Sequence, residues 1–205
     1  MALRERRKDG KMKLILASKS PRRREMFDSL GLEYEALSTE VDESHRGYIP
    51  PARLVEILSL RKAGATVAGQ DDIVIASDTV VALGRRIFGK PKDRADAFDM
   101  IKTLSGTVHK VYSGYAIVRG DVHLSGSVCT KVKFRELTDK EINEYVDTPE
   151  PYDKAGGYGI QENGGFFVSA ISGDFNNVVG MPLSTIESVM REGLGVSLLD
   201  FKKKI

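Results

Sequence analysis

The sequence is poor in the residues that most often advertise chemistry. It holds one cysteine and three histidines in 205 residues, and no Cys/His spacing of the kind that binds zinc occurs. A lone cysteine cannot form an internal disulfide, which fits a reducing compartment. Cys129 falls in an expected strand and reads as a small core residue rather than a reactive thiol. There is no Walker A loop, no G-x-G-x-x-G and no H-E-x-x-H. No apolar run approaches the ~20 residues needed to span a bilayer. The start of the chain, Met1 to Lys13, is charged and lacks the apolar segment of a secretory signal. The expectation is a cytoplasmic protein with no membrane association. Internal repeats and low-complexity linkers are also missing.

What is present is charge, unevenly spread. The formal net charge of +2 hides a surplus of +4 in residues 1–13 and of +2 in residues 198–205, leaving the body at −4. An acidic body argues against a broad nucleic-acid footprint. Residues 1–12 and 198–205 are expected as basic tails, the first disordered, around one domain at residues 13–197.

Along that domain, helical and strand patterns alternate. Leu14 to Ala17 reads as a buried strand and is followed by helical spacing from Arg24 to Leu30. Tyr34 to Ser38 reads as a short strand. Pro50 and Pro51 open a helix carrying Leu54, Val55, Leu58 and the pair Arg61-Lys62. Ile73 to Ala76 is an apolar strand that Ser77-Asp78-Thr79 is expected to end, with Val80 to Leu83 starting another. Residues 94–104 look helical. Val108 to Val118 and Ser127 to Leu137 form an expected hairpin. Thr138 and Glu141 have capping-box spacing, Phe166 to Ile171 reads as a strand, and Pro182 to Glu192 as the last helix, ended by Gly193. Interleaved strands and helices give an α/β fold class.

Four segments carry candidate chemistry. Ser18 to Glu25, SKSPRRRE, sits where a strand hands over to a helix. Free backbone N–H groups, hydroxyls and the forked donors of Arg22 and Arg23 suit a phosphate there. The same residues would also serve as a capped helix with solvated arginines. Asp78 is expected just beyond an apolar strand, where α/β sheets present ligands. Its carboxylate could hold a divalent cation or act as a base toward water, or simply close a turn. Glu43, in the polar loop Thr39 to Glu43, is a second carboxylate of that kind. Together the two could hold one Mg²⁺. In Gly89-Lys90-Pro91 the flanking residues fix where Lys90 points, toward a phosphate or toward solvent. In Asp153 to Gln161, DKAGGYGIQ, the glycines let backbone approach a ligand, and the Gln161 amide could read a base edge.

Taken in order, these segments resemble the Maf family of nucleoside triphosphate pyrophosphatases. The resemblance rests on Ser18–Arg23, Val41–Glu43, Ser77–Thr79, Gly89–Pro91, Leu104–Gly106, Asp153–Gln161 and Val178–Pro182, and covers roughly residues 13–194. It implies an elongated mixed β-sheet flanked by helices, with two lobes around a nucleotide-binding cleft, as in inosine triphosphate pyrophosphatases. It further implies hydrolysis of a nucleoside triphosphate to a monophosphate and pyrophosphate with Mg²⁺ or Mn²⁺, and a homodimer. The Tyr-Gly-Ile-Gln ending is similar to the subgroup acting on dTTP and UTP. Carried over position by position, Asp78 is the proton acceptor, Arg22, Thr79 and Gln161 govern substrate choice, and Ser18, Lys90 and Lys154 lie on the phosphate side. Which of Asp78 and Glu43 holds metal is left open. One departure is Gly157, where a second alanine is usual; it is expected to loosen the loop. Two other classes stay open beside a dTTP/UTP enzyme: the 7-methyl-GTP pyrophosphatases of the same family, and a nucleotide-binding regulator of septum formation. A kinase is disfavoured because no Walker loop or second-substrate motif is visible.

Overall fold

The computed structural model describes residues 12–37, 40–45 and 47–203. Residues 1–11 of the expected N-terminal tail, with Ser38 and Thr39, lie outside them. A seven-stranded sheet runs in the order β2-β1-β3-β5-β6-β7, with β4 paired to β3 off this path. The strands are β1 Leu14–Ala17, β2 Glu35–Leu37, β3 Ile73–Leu83, β4 Arg86–Phe88, β5 Val108–Arg119, β6 Val122–Phe134 and β7 Val168–Ser172. β1 is parallel to β2 and β3, and every other pairing is antiparallel. Helices α1 Pro21–Ser29, α2 Pro51–Gly64, α3 Arg94–Leu104, α4 Asp139–Val146, α5 Phe175–Val179 and α6 Leu183–Leu194 flank it. The α/β class is as the sequence pattern indicates, and the mixed sheet is as the family resemblance implies.

Period-two alternation along β3 explains the layout. Even positions Val74, Ala76 and Val80 face α2 in small apolar clusters. On the other face, Ile73 and Ile75 join a core with Phe27 of α1 and Ile186 and Met190 of α6. Val81 joins a second core with Ile101 of α3, Ile142 of α4 and Phe134. Between the two cores, Ser77 and Thr79 form a polar seam with Ser113 of β5, and all three hydroxyls are hydrogen-bonded. Two lobes therefore share one long strand pair and meet at a strip of hydroxyls. At the level of this seam α2 lies close against the opposite face of the sheet: a Cβ at Gly114, the β5 partner of Asp78, would stand 2.2 Å from the Val55 carbonyl oxygen.

Several expectations are corrected. Ser77-Asp78-Thr79 does not end a strand; β3 runs through it, because β5 pairs with it from Val74 to Ala82. β6 begins at Val122, directly after a two-residue turn at Gly120-Asp121, rather than at Ser127. β7 starts at Val168 after a 3₁₀ turn over Asn163–Phe167, and α6 runs on past Gly193 to a left-handed Gly195. Cys129 is exposed, since the buried alternation of β6 falls on Thr130, Val132 and Phe134. The expected basic tail at 198–205 is packed for most of its described length. Leu198 and Phe201 are buried, Lys202 bridges to Leu32, and the Lys203 N–H donates to the Gly31 carbonyl at 2.9 Å.

Candidate active site

The cleft opens where the sheet splits. On one edge β3 pairs with β1 through Ile73–Ile75 and with β4 through Val81–Leu83. Between those stretches, residues 76–80 have no strand partner on that side among the described residues. A cavity of about 950 Å³ fills the gap, large enough for a nucleotide-sized ligand. Ser18, Arg22, Arg23, Glu43, Asp78, Thr79, Lys90, Lys154 and Gln161 all line it. The nine side chains singled out in the sequence thus meet in one place.

The first wall is the β1–α1 connection. Ser20 makes no side-chain cap to α1, whereas Thr138 caps α4 with a full capping box. An uncapped helix start facing a cavity leaves backbone donors for an anion. Ser18 is buried, and its Oγ accepts from the Ser20 N–H at 3.1 Å and from Arg23 at 3.4 Å. Arg23 is a clamp. Its Nε donates to the Gly180 carbonyl at 2.9 Å and its Nη2 to Thr79 Oγ1 at 3.1 Å. Burial pulls its pKa below the ordinary value, and Asp78 opposes that. Thr79 is equally engaged, bonded to Ser113 at 2.8 Å and to the Gly180 carbonyl at 3.2 Å. The Val178–Pro182 segment thus contributes a carbonyl that fixes Arg23. Arg22 crosses the cleft and pairs with Asp153 at 2.8 Å.

The second wall is the Asp153–Gln161 segment. The Gly156 N–H donates to the Gly89 carbonyl at 2.9 Å, tying this wall to the Lys90 turn. Lys90 is exposed in the cleft. Lys154 is buried; its ammonium donates to the Glu150 carbonyl at 2.8 Å and pairs with Asp153 at 2.9 Å and Glu162 at 3.2 Å. Gln161 stands exposed at the wall's tip. Gly157, the departure from the usual alanine, sits in a left-handed turn of this wall. Its φ is +73°, its N–H donates to the Lys154 carbonyl, and a Cβ there would meet Pro91 at 3.2 Å. Glycine fits a left-handed position where alanine is strained.

The floor holds the carboxylates. Asp78 points from β3 toward α2 and is 8% exposed, not at a strand end. Its Oδ1 lies 2.5 Å from Lys62 Nζ, and Glu43 Oε1 lies 2.8 Å from the same nitrogen. Lys62 is the residue that sequence reasoning missed. The helix ending in Arg61-Lys62 was legible, but only the packing of α2 over β3 shows that Lys62 meets both carboxylates. Among the described residues, no group of three or more His, Cys, Asp or Glu side chains could hold a metal. The two that converge here match the sparse protein ligation that Mg²⁺ accepts when phosphates and water complete its shell.

The gap in the split sheet is ringed by Arg22, Arg23, Lys62, Lys90 and Lys154 around two carboxylates, a charge pattern that suits a multiply phosphorylated small molecule. The chain belongs to the Maf-like protein family, whose model matches residues 13–193. It is 43% identical over 181 residues to the dTTP/UTP pyrophosphatase of Bacillus anthracis, covering 88% of this chain and 95% of that protein. It is 44% identical over 192 residues to the dTTP/UTP pyrophosphatase of Thermoanaerobacter pseudethanolicus, covering 92% of this chain and all of that one. Among solved structures, a nucleoside-triphosphatase / dITP/XTP pyrophosphatase from Mycobacterium abscessus superposes with a TM-score of 0.39 at 16% identity, over 62% of this chain and 76% of that one, a likeness too weak to carry an argument. No helix among the described residues is long and apolar enough to cross a membrane.

Proposed function

We propose that this chain is a nucleoside triphosphate pyrophosphatase that hydrolyses dTTP and UTP to the nucleoside monophosphate and pyrophosphate. The observation that carries the reading is the floor of the cleft, where Asp78 and Glu43 meet at Lys62 inside a ring of cations. The names of the relatives point the same way. A triphosphate resists attack because its charge repels nucleophiles, so a catalyst must offset that charge and position water. Arg22 supplies a planar fork, Lys90 and Lys154 supply point charges, and the open start of α1 with Ser18 supplies further donors. Asp78 accepts the proton of the attacking water, which adds across the α–β anhydride, and the leaving pyrophosphate takes up the negative charge. Lys62 pairs with both carboxylates and brings Glu43 beside Asp78.

Glu43 and Asp78 would hold the divalent cation, Mg²⁺ or Mn²⁺. When bound it would supply charge neutralisation on the phosphate oxygens. Gln161 faces the base. Thymine and uracil share an acceptor at position 4 and a donor at N3, a pair that one amide can match. Cytosine reverses that pattern and leaves the amide facing like groups. Arg22 and Thr79 act on substrate choice together with Gln161, Thr79 through the Arg23–Gly180 clamp.

The test is product identity. dTTP incubated with the protein and Mg²⁺ should yield dTMP and pyrophosphate in equal amounts. Orthophosphate, a phosphorylated acceptor, or binding without turnover would overturn the reading.

A further inference from the structure

One buried carboxylate takes no part in the chemistry above. Glu150 is 7% exposed and sits in the 3₁₀ turn Glu150–Asp153, behind the second wall. Its Oε1 accepts from the Tyr145 phenol and from the Gly164 N–H, each at 2.9 Å. Its Oε2 accepts from the Asn163 N–H at 3.1 Å. Its backbone carbonyl accepts from the Lys154 ammonium at 2.8 Å. The two N–H donors lie at the end of the loop that runs from Gly159 through Gln161, closed by hydrogen bonds from Glu162 to Gly159 and from Gly165 to Glu162. This loop is tight: a Cβ at Gly164 would stand 2.7 Å from the Gly159 carbonyl oxygen, and one at Gly159 would stand 2.6 Å from Lys154 Cε. One residue therefore holds the ammonium through its main chain and the glutamine loop through its side chain.

We infer that Glu150 is the positioning residue of the base-facing wall, fixing Gln161 and Lys154 relative to one another. The inference rests on the reading of those two side chains as substrate contacts. The chemistry explains why a carboxylate is needed. Three donors converge on two oxygens, and a carboxylate is acceptor-only. Glutamine has one oxygen, so its NH₂ would face at least one of those donors and leave it unpaired in a buried place. The loop must then shift, and Gln161 and Lys154 lose their common reference.

The experiment compares wild type, Glu150→Gln, Gln161→Ala and the double variant, each checked for folding by thermal unfolding. KM and kcat are measured for dTTP, UTP, CTP and GTP. Glu150→Gln is expected to raise KM for dTTP and lower the dTTP-over-GTP ratio of kcat/KM by about tenfold, the size of one lost hydrogen bond to a charged group. kcat for dTTP should stay within about threefold, since the floor is untouched. In the Gln161→Ala background, Glu150→Gln should lower the ratio no further. An unchanged ratio and KM would overturn the inference. So would an equal fall in kcat for every nucleotide at constant KM, which marks a merely structural residue. If Gln161→Ala keeps selectivity while Glu150→Gln loses it, the assignment of Gln161 fails and positioning by Glu150 stands. Should Glu150→Gln not fold, Tyr145→Phe removes one donor and keeps the ring packed on Phe167, whose centroid lies 4.8 Å away. It should shift KM and the ratio the same way by a smaller factor, and wild-type values there would overturn the inference.

Discussion

The floor of the cleft and the wall behind Gln161 each bury one carboxylate, and they answer it in opposite ways. Asp78 and Glu150 are 8% and 7% exposed. Asp78 meets a single ammonium on a flexible stem, shared with the exposed carboxylate of Glu43. Glu150 meets two backbone N–H groups and a phenol that the fold holds in place. A partner that can move leaves a carboxylate free to exchange protons or ligands; partners that cannot move make it a fixture. On the proposed roles, burial alone does not separate a reacting group from a positioning one, and the mobility of its partners does.

The sharpest way to break this comparison is Asp78→Asn. Amide replaces carboxylate at constant size, and kcat for pyrophosphate release should fall by roughly 10²-fold or more, as for loss of a general base. Lys62 keeps Glu43, so thermal unfolding should move by only a few degrees, about 1 kcal/mol. Turnover near wild type would return Asp78 to the class of fixtures.

A third buried group, the fully buried His109, extends the comparison to one with a neutral partner. Its Nε2 lies 2.8 Å from the Tyr158 hydroxyl, and burial pushes its pKa down to about 4. The unfolded chain binds this proton near pH 6.5 and the folded chain does not. The contribution is complete above pH 6.5 and is lost as pH falls toward 4. At about 1.4 kcal/mol per pH unit it amounts to about 3 kcal/mol. Chemical denaturation between pH 7 and 4 should show this slope in wild type and not in His109→Gln; equal slopes would exclude it.

Lys62→Met tests the bridge. It leaves Asp78 and Glu43 facing each other without a cation, and kcat/KM should fall roughly 10- to 100-fold. Glu43→Gln should cost less, because Glu43 is 58% exposed. A larger loss for Glu43→Gln would mean that Glu43, not Asp78, is the centre of the floor. Arg22→Lys keeps the charge and loses the fork, and should raise KM for dTTP by about tenfold with little change in kcat. An unchanged KM would leave Arg22 as no more than the partner of Asp153.

The legibility of these regions differs for a physical reason. Ser18, Arg22, Lys90 and Asp78 belong to short segments whose local chemistry is visible in one dimension. The break at Ser77-Asp78-Thr79 was visible too, but polar residues within an apolar run read as a strand end. They are instead the inward-facing hydroxyls of the seam between two cores, with Asp78 on the opposite face. Lys62 and Glu150 could not be read from pattern. Lys62 matters because α2 crosses β3 at Asp78, and Glu150 because a loop folds back onto it from residues 163 and 164. Both are tertiary facts between segments that carry no shared periodicity. Leu198 and Phe201 are hidden in the sequence because the charge of the neighbouring lysines dominates the local pattern, although both side chains are buried.

The central claim is that this cleft selects a pyrimidine triphosphate by its wall and hydrolyses it at its floor. It is tested most directly by kcat/KM for pyrophosphate release from dTTP, UTP, CTP, GTP and 7-methyl-GTP on the wild-type protein. The account expects dTTP and UTP to lead, with CTP and GTP at least about tenfold lower, the cost of a mismatched hydrogen bond. A profile led by 7-methyl-GTP, or one flat across all five, would contradict it.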